Sequence, residues 1–354
     1  MRRSRLKVAV LGASGYTGGE LLRLLGGHPY VTVTDVTADK SVGLPVTSLF
    51  PHLEPFHGFR FAPLDVKPIL NKIDLVFSAL PHTKSMEPVM ACVRAKKPVI
   101  DLSADFRLTE RETYERWYGT THASPALLKK AVYGLPELHR ARIRRARLVA
   151  VPGCYPTAAI LQLAPLLAHR LLQTDTIVVD AKSGISGAGR NPALPYHFPE
   201  AHDSLTAYNV TRHRHTPEIE QELNRIVRGR KGADVNVVFT PHLIPMNRGL
   251  LSTAYAKLRK PLSNAKATTL YKNFYVNERF IRIREESTSV SPTHVRGSNF
   301  CDIGVFVDQR TNHVIVVSAL DNLVKGAAGQ AIQSMNLMMG FPEETALTAP
   351  GIFP

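Results

Sequence analysis

The segment "KVAVLGASGYTGGELLRLLGGHP", beginning at Lys7, constrains this chain more than any other. A short apolar run, Lys7–Leu11, enters a glycine turn and then a stretch of helical apolar spacing, stopped by Gly26, Gly27 and Pro29. A strand that passes through glycines into a helix offers unpaired backbone N–H groups and the positive end of a helix dipole. That combination suits a pyrophosphate. The glycines here are Gly12, Gly15 and Gly18, a G-x-x-G-x-x-G variant of the usual G-x-G-x-x-G spacing. The turn predicts a dinucleotide site formed by Gly12, Ala13, Ser14, Gly15, Tyr16, Thr17 and Gly18.

The strand–helix rhythm continues. "VTVTDVT" from Val31 is β-branched and alternating, and Ile73–Leu80 and Lys97–Ser103 are apolar strands with a helical stretch between them. "RLVAVPG" closes the series. This order predicts a Rossmann-type doubly wound parallel sheet over residues 1–152. An acidic residue about twenty positions beyond the glycines holds a ribose hydroxyl, whereas a basic one accepts a 2′-phosphate. "TDVTADKS" contains Asp35, Asp39 and Lys40, so NAD and NADP both stay open.

At 354 residues the chain is long enough for two domains, and its texture changes near Gly153. A helix from about Thr157 precedes "TIVVDAKSG", a loop rich in Gly, Pro and His, and then "DVNVVFTPHLIP", "LLSTAYAKL", "CDIGVFVD" and "HVIVVSAL". These segments predict an α+β catalytic domain with a mostly antiparallel sheet. The final "LDNLVKGAAGQAIQSMNLMMG" reads as an amphipathic helix stopped by Gly340.

Three cysteines without a C-x-x-C pair argue against a disulfide framework and against a zinc site, so no metal is expected and a cytoplasmic location is. No apolar run approaches a membrane span, and "MRRSRLKVAVL" lacks the apolar length of a signal peptide. The net charge of +15 attracts anions, but the densest basic cluster, His139–Leu148, has five arginines and no interleaved aromatics. It reads as a solvated face rather than a nucleic-acid patch.

Cys154, in "PGCYPTAA", lies close to a helix start, where Thr157 reads as the cap and the dipole favours a thiolate. Cys92 and Cys301 read as packing residues. "RHRHTPEIEQEL" supplies His213 and His215 ahead of Thr216 as N-cap and Pro217 at the first helical position. In an extended segment both imidazoles project to one side, and either can serve as acid/base with Cys154. "AKSGISGAGR" has small residues and flanking charge suited to an anion, and so reads as a substrate loop.

Together "GASGYTGGELLRLL", "SALPH", "DLSADFRL", "VYGLPEL", "PGCYPTA", "SGISGAGR", "HRHTPEI", "FTPHLIPMNRG", "DIGVFVD" and "SALDNLVKGAAGQAIQSMN" cover nearly the whole chain in order. In these segments the chain resembles the N-acetyl-γ-glutamyl-phosphate reductases. The resemblance implies an NADPH-dependent, phosphorylating semialdehyde dehydrogenase of arginine biosynthesis, working through a cysteine thioester and assembling as a homotetramer. It implies a catalytic domain over 153–318 and a C-terminal helix, 319–354, returning to the nucleotide domain. It also implies roles for Arg107 toward the substrate phosphate, for Asn322 on the nicotinamide side and for Lys40 at the cofactor, while the small-residue loop with its flanking charge places Ser183, Gly184 and Arg190 toward substrate. "TADKS" departs from the "TSRS" often found in that family's loop, which bears on Lys40.

A related enzyme reduces a carrier-protein-bound aminoadipyl or glutamyl phosphate, and an acidic carrier would suit a basic chain. That relative typically carries "GCNAT", whereas this chain has "GCYPT", which favours the small acetylated substrate. A non-catalytic nucleotide- or nucleic-acid-binding protein is the reading from a different class. Only the charge supports it.

Overall fold

The computed structural model describes residues 5–229 and 234–353. The chain divides into two compact units, Met1–Pro152 with Ala327–Ala349, and Gly153–Gly326 with Pro350–Pro354.

The first unit runs β1 (Leu6–Leu11), α1 (Tyr16–Gly26), β2 (Val31–Val36), α2 (Val46–Leu49), β3 (Leu75–Ser78), α3 (Met86–Arg94), β4 (Val99–Asp101), α4 (Arg111–Tyr118), α5 (Pro125–Lys130), β5 (Val132–Tyr133), α6 (Pro136–Ile143) and β6 (Leu148–Ala150). The strands form one six-stranded sheet in the order β2-β1-β3-β4-β6-β5, and every pairing is parallel. β1, β3, β4 and β6 are almost wholly apolar because helices cover both faces. Ala9, Leu11, Val76, Val99 and Ala150 join Val89 and Cys92 of α3 in one buried cluster. The order reverses between β2 and β3, so the carboxyl ends of β1 and β3 frame the switch point where ligands bind in such sheets.

The second unit contains α7 (Cys154–Ala168), β7 (Ile177–Gly184), α8 (Phe198–Ala201), β8 (Thr206–Ala207), α9 (Thr216–Val227), β9 (Val237–Ile244), β10 (Leu250–Lys257), α10 (Asn264–Phe274), β11 (Ile281–Arg284), β12 (Cys301–Asp308) and β13 (His313–Leu320). Its seven strands run β11-β12-β13-β10-β7-β9-β8. The β11/β12 and β7/β9 pairs are parallel and the other four antiparallel. Alternation in β7 and β10 turns Ile177, Val179, Ala181, Ala254 and Ala256 inward. α7 is apolar all round and buried along nearly its whole length. Its one buried amide, Gln162, donates to the carbonyls of Ser252 and Val316 and accepts from the Ser252 hydroxyl, which fastens the helix to β10 and β13.

After β13 a π-helical turn, Val324–Ala328, leads into α11 (Gly329–Met339). The sequence expectation of an amphipathic helix here is corrected: Gly329–Leu337 are all buried, and the first five helical residues have π rather than α spacing. α11 packs on α1, α6 and β4. The expected return point at Ala319 lies inside β13; the division falls at Ala327, and the last residues rejoin the second unit. In the arginine-rich segment Arg140 pairs with Glu343 at 2.8 Å, while Arg142, Arg144, Arg145 and Arg147 are exposed. Among the described residues no helix is long and apolar enough to cross a membrane.

Candidate active site

In the first unit the glycine turn is held from both sides. Gly12 has φ +73°, and a Cβ there would lie 2.7 Å from the Ala79 carbonyl oxygen, so the turn after β1 admits only glycine. A Cβ on Gly18 would lie 2.5 Å from the Ala13 Cα, which explains the close seating of α1 on the turn. Gly15, the N-cap, has no such neighbour and leaves the helix terminus open. Thr37 completes the support: its carbonyl accepts the Ala13 N–H at 2.8 Å, and its hydroxyl accepts the Gly12 N–H at 3.3 Å. No acidic residue occupies the first turn of α1. This is a cradle fit for a dinucleotide pyrophosphate. Asp39 and Lys40 are both exposed beyond β2, whereas Asp35 is half-buried and accepts from Thr34.

The loops after β3 and β4 are knit by carboxylates that the sequence did not single out. Buried Asp101 accepts from the hydroxyls of Ser85 at 2.5 Å and Ser103 at 2.6 Å. Asp105 accepts the amides of Thr83 and Ser85 and the Tyr114 hydroxyl. Burial pushes the Asp101 carboxyl up to about 6, against the opposing pull of its serine donors. Arg107 is buried, donating from Nε to the Val151 carbonyl at 2.7 Å and from Nη2 to that of Leu102 at 2.9 Å.

In the second unit Cys154 is the first residue of α7, with Gly153 as N-cap. The expected start near Thr157 is corrected: Thr157 lies inside the first turn and its hydroxyl donates back to the Gly153 carbonyl. The reason is Gly153, whose extended backbone caps without a side chain. Cys154 is partly exposed at the positive end of a 15-residue helix, a position that favours a thiolate. Cys92 and Cys301 are buried, and burial pushes the Cys92 thiol up to about 11. Neither suits a nucleophile.

His213 and His215 come together, with ring centroids 4.8 Å apart. The expected extended segment is corrected, since His215 has helical backbone angles and is itself the N-cap of α9, one residue before Thr216. The turn, not a strand, gathers the rings. His213 is enclosed by Tyr155, Tyr208 and Phe239, and its Nδ1 accepts the His215 N–H at 3.1 Å. Desolvation, with a smaller effect of Arg214, lowers its pKa to about 4. His215 is more open and lies 5.9 Å from the Tyr155 ring, the residue after Cys154.

Sequence reasoning missed Glu218. It is buried in the first turn of α9, and its carboxylate accepts the Gly153 N–H at 2.9 Å, so one acidic side chain joins the starts of the cysteine and histidine helices. Tyr208 donates to the Tyr155 hydroxyl, which donates to the His242 carbonyl. Ser183 is buried at the end of β7, Gly184 follows, and Arg190 is exposed in the loop beyond. Asn322 is buried; its amide donates to the Ser186 hydroxyl at 3.0 Å and accepts the Gly249 N–H at 2.7 Å, bracing that loop. Among the described residues no three His, Cys, Asp or Glu side chains are grouped to hold a metal.

A dinucleotide cradle in one unit, and a helix-start cysteine with a histidine pair in the other, define an oxidoreductase of the semialdehyde dehydrogenase type. Residues 7–146 match the family model "Semialdehyde dehydrogenase, NAD binding domain", and residues 154–322 match "Semialdehyde dehydrogenase, dimerisation domain". The fold is shared with aspartate semialdehyde dehydrogenase II of Vibrio cholerae (TM-score 0.70, 17% identity, 95% of this chain and 99% of that one). It is shared too with the aspartate semialdehyde dehydrogenase of Candida albicans, solved with NADP (TM-score 0.71, 16% identity, 95% and 99%). N-acetyl-gamma-glutamyl-phosphate reductases are much nearer in sequence. That of Geotalea daltonii is 51% identical over 99% of this chain and 100% of its own, and that of Pelotomaculum thermopropionicum 48% over 99% of each. The chain belongs to the N-acetyl-gamma-glutamyl-phosphate reductase family.

Proposed function

We propose that the protein reduces N-acetyl-L-glutamyl 5-phosphate to N-acetyl-L-glutamate 5-semialdehyde and phosphate, a step of arginine biosynthesis, with Cys154 as nucleophile. The observation that carries the reading is Cys154 at the first residue of α7, joined through Gly153 and Glu218 to the helix that carries His215. An acyl phosphate is already activated, so a thiolate suffices to attack it. Cys154 Sγ adds to the C5 carbonyl, the C–O bond to phosphate breaks, and a thioester remains. The nicotinamide supplies hydride to that carbonyl carbon when bound. His215 protonates the resulting oxyanion and takes the proton back as the C–S bond breaks, which frees the aldehyde and restores the thiolate. His213, buried and neutral, holds the His215 backbone. Ser183, Gly184, Arg190 and Arg107 are assigned to the substrate side.

NADP is the assigned cofactor. Lys40 offers a cation for its 2′-phosphate, and the Candida albicans fold neighbour was solved with that cofactor. A homo-oligomer forms on the outer face of the seven-stranded sheet. There Phe306, Ile315, Tyr255, Val178 and Val238 make a cross-strand apolar row, in which Val238 is 63% exposed. Three free thiols support a cytoplasmic location.

The test is the reverse reaction, phosphate-dependent reduction of NADP and of NAD by the semialdehyde. Cys154→Ser should abolish turnover while NADP binding survives; turnover retained in that variant rejects the mechanism. In the forward direction free N-acetylglutamyl phosphate should oxidise NADPH without a carrier protein. A requirement for a carrier would favour the alternative substrate.

A further inference from the structure

The turn that precedes α11 is π-helical, and it lies against the proposed nucleophile. A Cβ built on Gly326 would fall 2.6 Å from the Cys154 Cβ and 3.2 Å from its Cα. Real side-chain carbons do not approach so closely, so the turn touches the Cα–Cβ bond that aims the thiol. An α-helical turn carries no extra residue; π-turns are rare and concentrate at functional sites.

The turn is held from three directions. Asp321, fully buried, accepts the N–H groups of Leu323 at 2.8 Å and Val324 at 3.1 Å through Oδ1, which caps the turn. Its Oδ2 accepts the Gly297 N–H at 2.6 Å, and Arg248 donates to Oδ1 at 3.2 Å. The Asp321 carbonyl accepts the Gly326 N–H at 2.9 Å, fixing the glycine itself. On the far side Lys325 is fully buried with Nζ 5.8 Å from the centre of the Phe280 ring, within the range of a cation–π contact.

We infer that the π-turn Val324–Ala328, set by Asp321, is a positioning element for Cys154, with Gly326 as the wall that fixes the direction of the thiol. This inference rests on Cys154 being the nucleophile. Gly326 and Asp321 touch no reacting atom; they act through Cys154. Displacing a nucleophile by about 1 Å costs on the order of a hundredfold in rate without altering how substrate binds. It also moves the sulfur off the amides and dipole that favour its thiolate.

The experiment uses full-length Gly326→Ala. Steady-state kinetics with N-acetylglutamyl phosphate should show kcat reduced by about a hundredfold, with KM within about threefold of wild type. Iodoacetamide alkylation of Cys154, followed by peptide mass spectrometry, should have its pH midpoint displaced upward. Wild-type kcat, or a kcat loss matched by loss of folded protein with the alkylation profile unchanged, overturns the inference. If Gly326→Ala does not fold, Asp321→Asn carries the test, with at least a tenfold loss of kcat and the same alkylation shift expected. Failure of both to unfold cooperatively would make the turn a folding element and overturn it equally. The two readings fail separately. Activity in Cys154→Ser rejects the nucleophile, whereas an unaffected Gly326→Ala beside an inactive Cys154→Ser rejects only the positioning role.

Discussion

At pH 7 the imidazole of His213 is neutral, because burial among Tyr155, Tyr208 and Phe239 denies a cation its water and lowers the pKa to about 4. The unfolded chain takes up the same proton near the ordinary value of 6.5. His213 therefore contributes stability that is present above about pH 6.5 and lost as pH falls through 4. Asp101 has the opposite sign. Its carboxyl is raised from 3.8 to about 6, so it favours the folded state increasingly as pH falls from 6 toward 3.8. The expected outcome is that His213→Gln weakens the acid-side loss of stability by an order of a few kcal/mol, read from urea midpoints between pH 7.5 and 4. An unchanged pH slope would show that His213 does not titrate in this way. His215→Asn, by contrast, should lower kcat by about a hundredfold or more with little change in stability. The spacing of the two histidines was legible in the sequence, but their division of labour was not. It depends on which ring the aromatics enclose, and Tyr155 and Phe239 stand far from both in the chain.

Among the elements, α7 and α9 are joined at their starts. Glu218 places one negative charge at the N-terminal turn of α9 and against the amide that caps α7, where both dipoles favour it. Glu218→Ala leaves the Gly153 N–H buried without its acceptor and should cost roughly 1–3 kcal/mol, measured by urea unfolding. Glu218→Gln keeps an acceptor and should cost less; equal losses would show that charge alone matters. A glutamate three residues after a helix cap reads from sequence as an ordinary first-turn acid, so its reach to another helix was invisible. The strands of the first sheet were legible because buried parallel strands are continuous apolar runs. The two-residue β5 was not, being too short to show a pattern. Nor was the π-turn, since nothing in "VKGAA" distinguishes five residues with π spacing from the start of the α-helix that follows.

On the scale of the whole molecule, the outer face of the seven-stranded sheet is the largest prediction about assembly. Tyr255 pairs with Val178 and Val178 with Val238, so the apolar row crosses strands without a charged break. Val238→Glu should shift the protein to a smaller species in analytical ultracentrifugation while unfolding stays cooperative. An unchanged sedimentation coefficient would move the interface elsewhere. Alternation along each strand turns these side chains to one face, and the register, which single segments do not reveal, aligns them into a row.

The discontinuity of the first unit has a consequence for how the protein is made. Synthesis delivers the glycine turn before β7 to β13, yet α11, which packs on α1, α6 and β4, follows those strands in the chain. Ile332 and Met335 of α11 are fully buried. The nascent nucleotide unit must therefore wait, its apolar helix faces uncovered, through the synthesis of all of β7 to β13. The nucleotide unit is thus completed only after β7 to β13 have been made, and during that interval its uncovered apolar surface is open to non-native contacts.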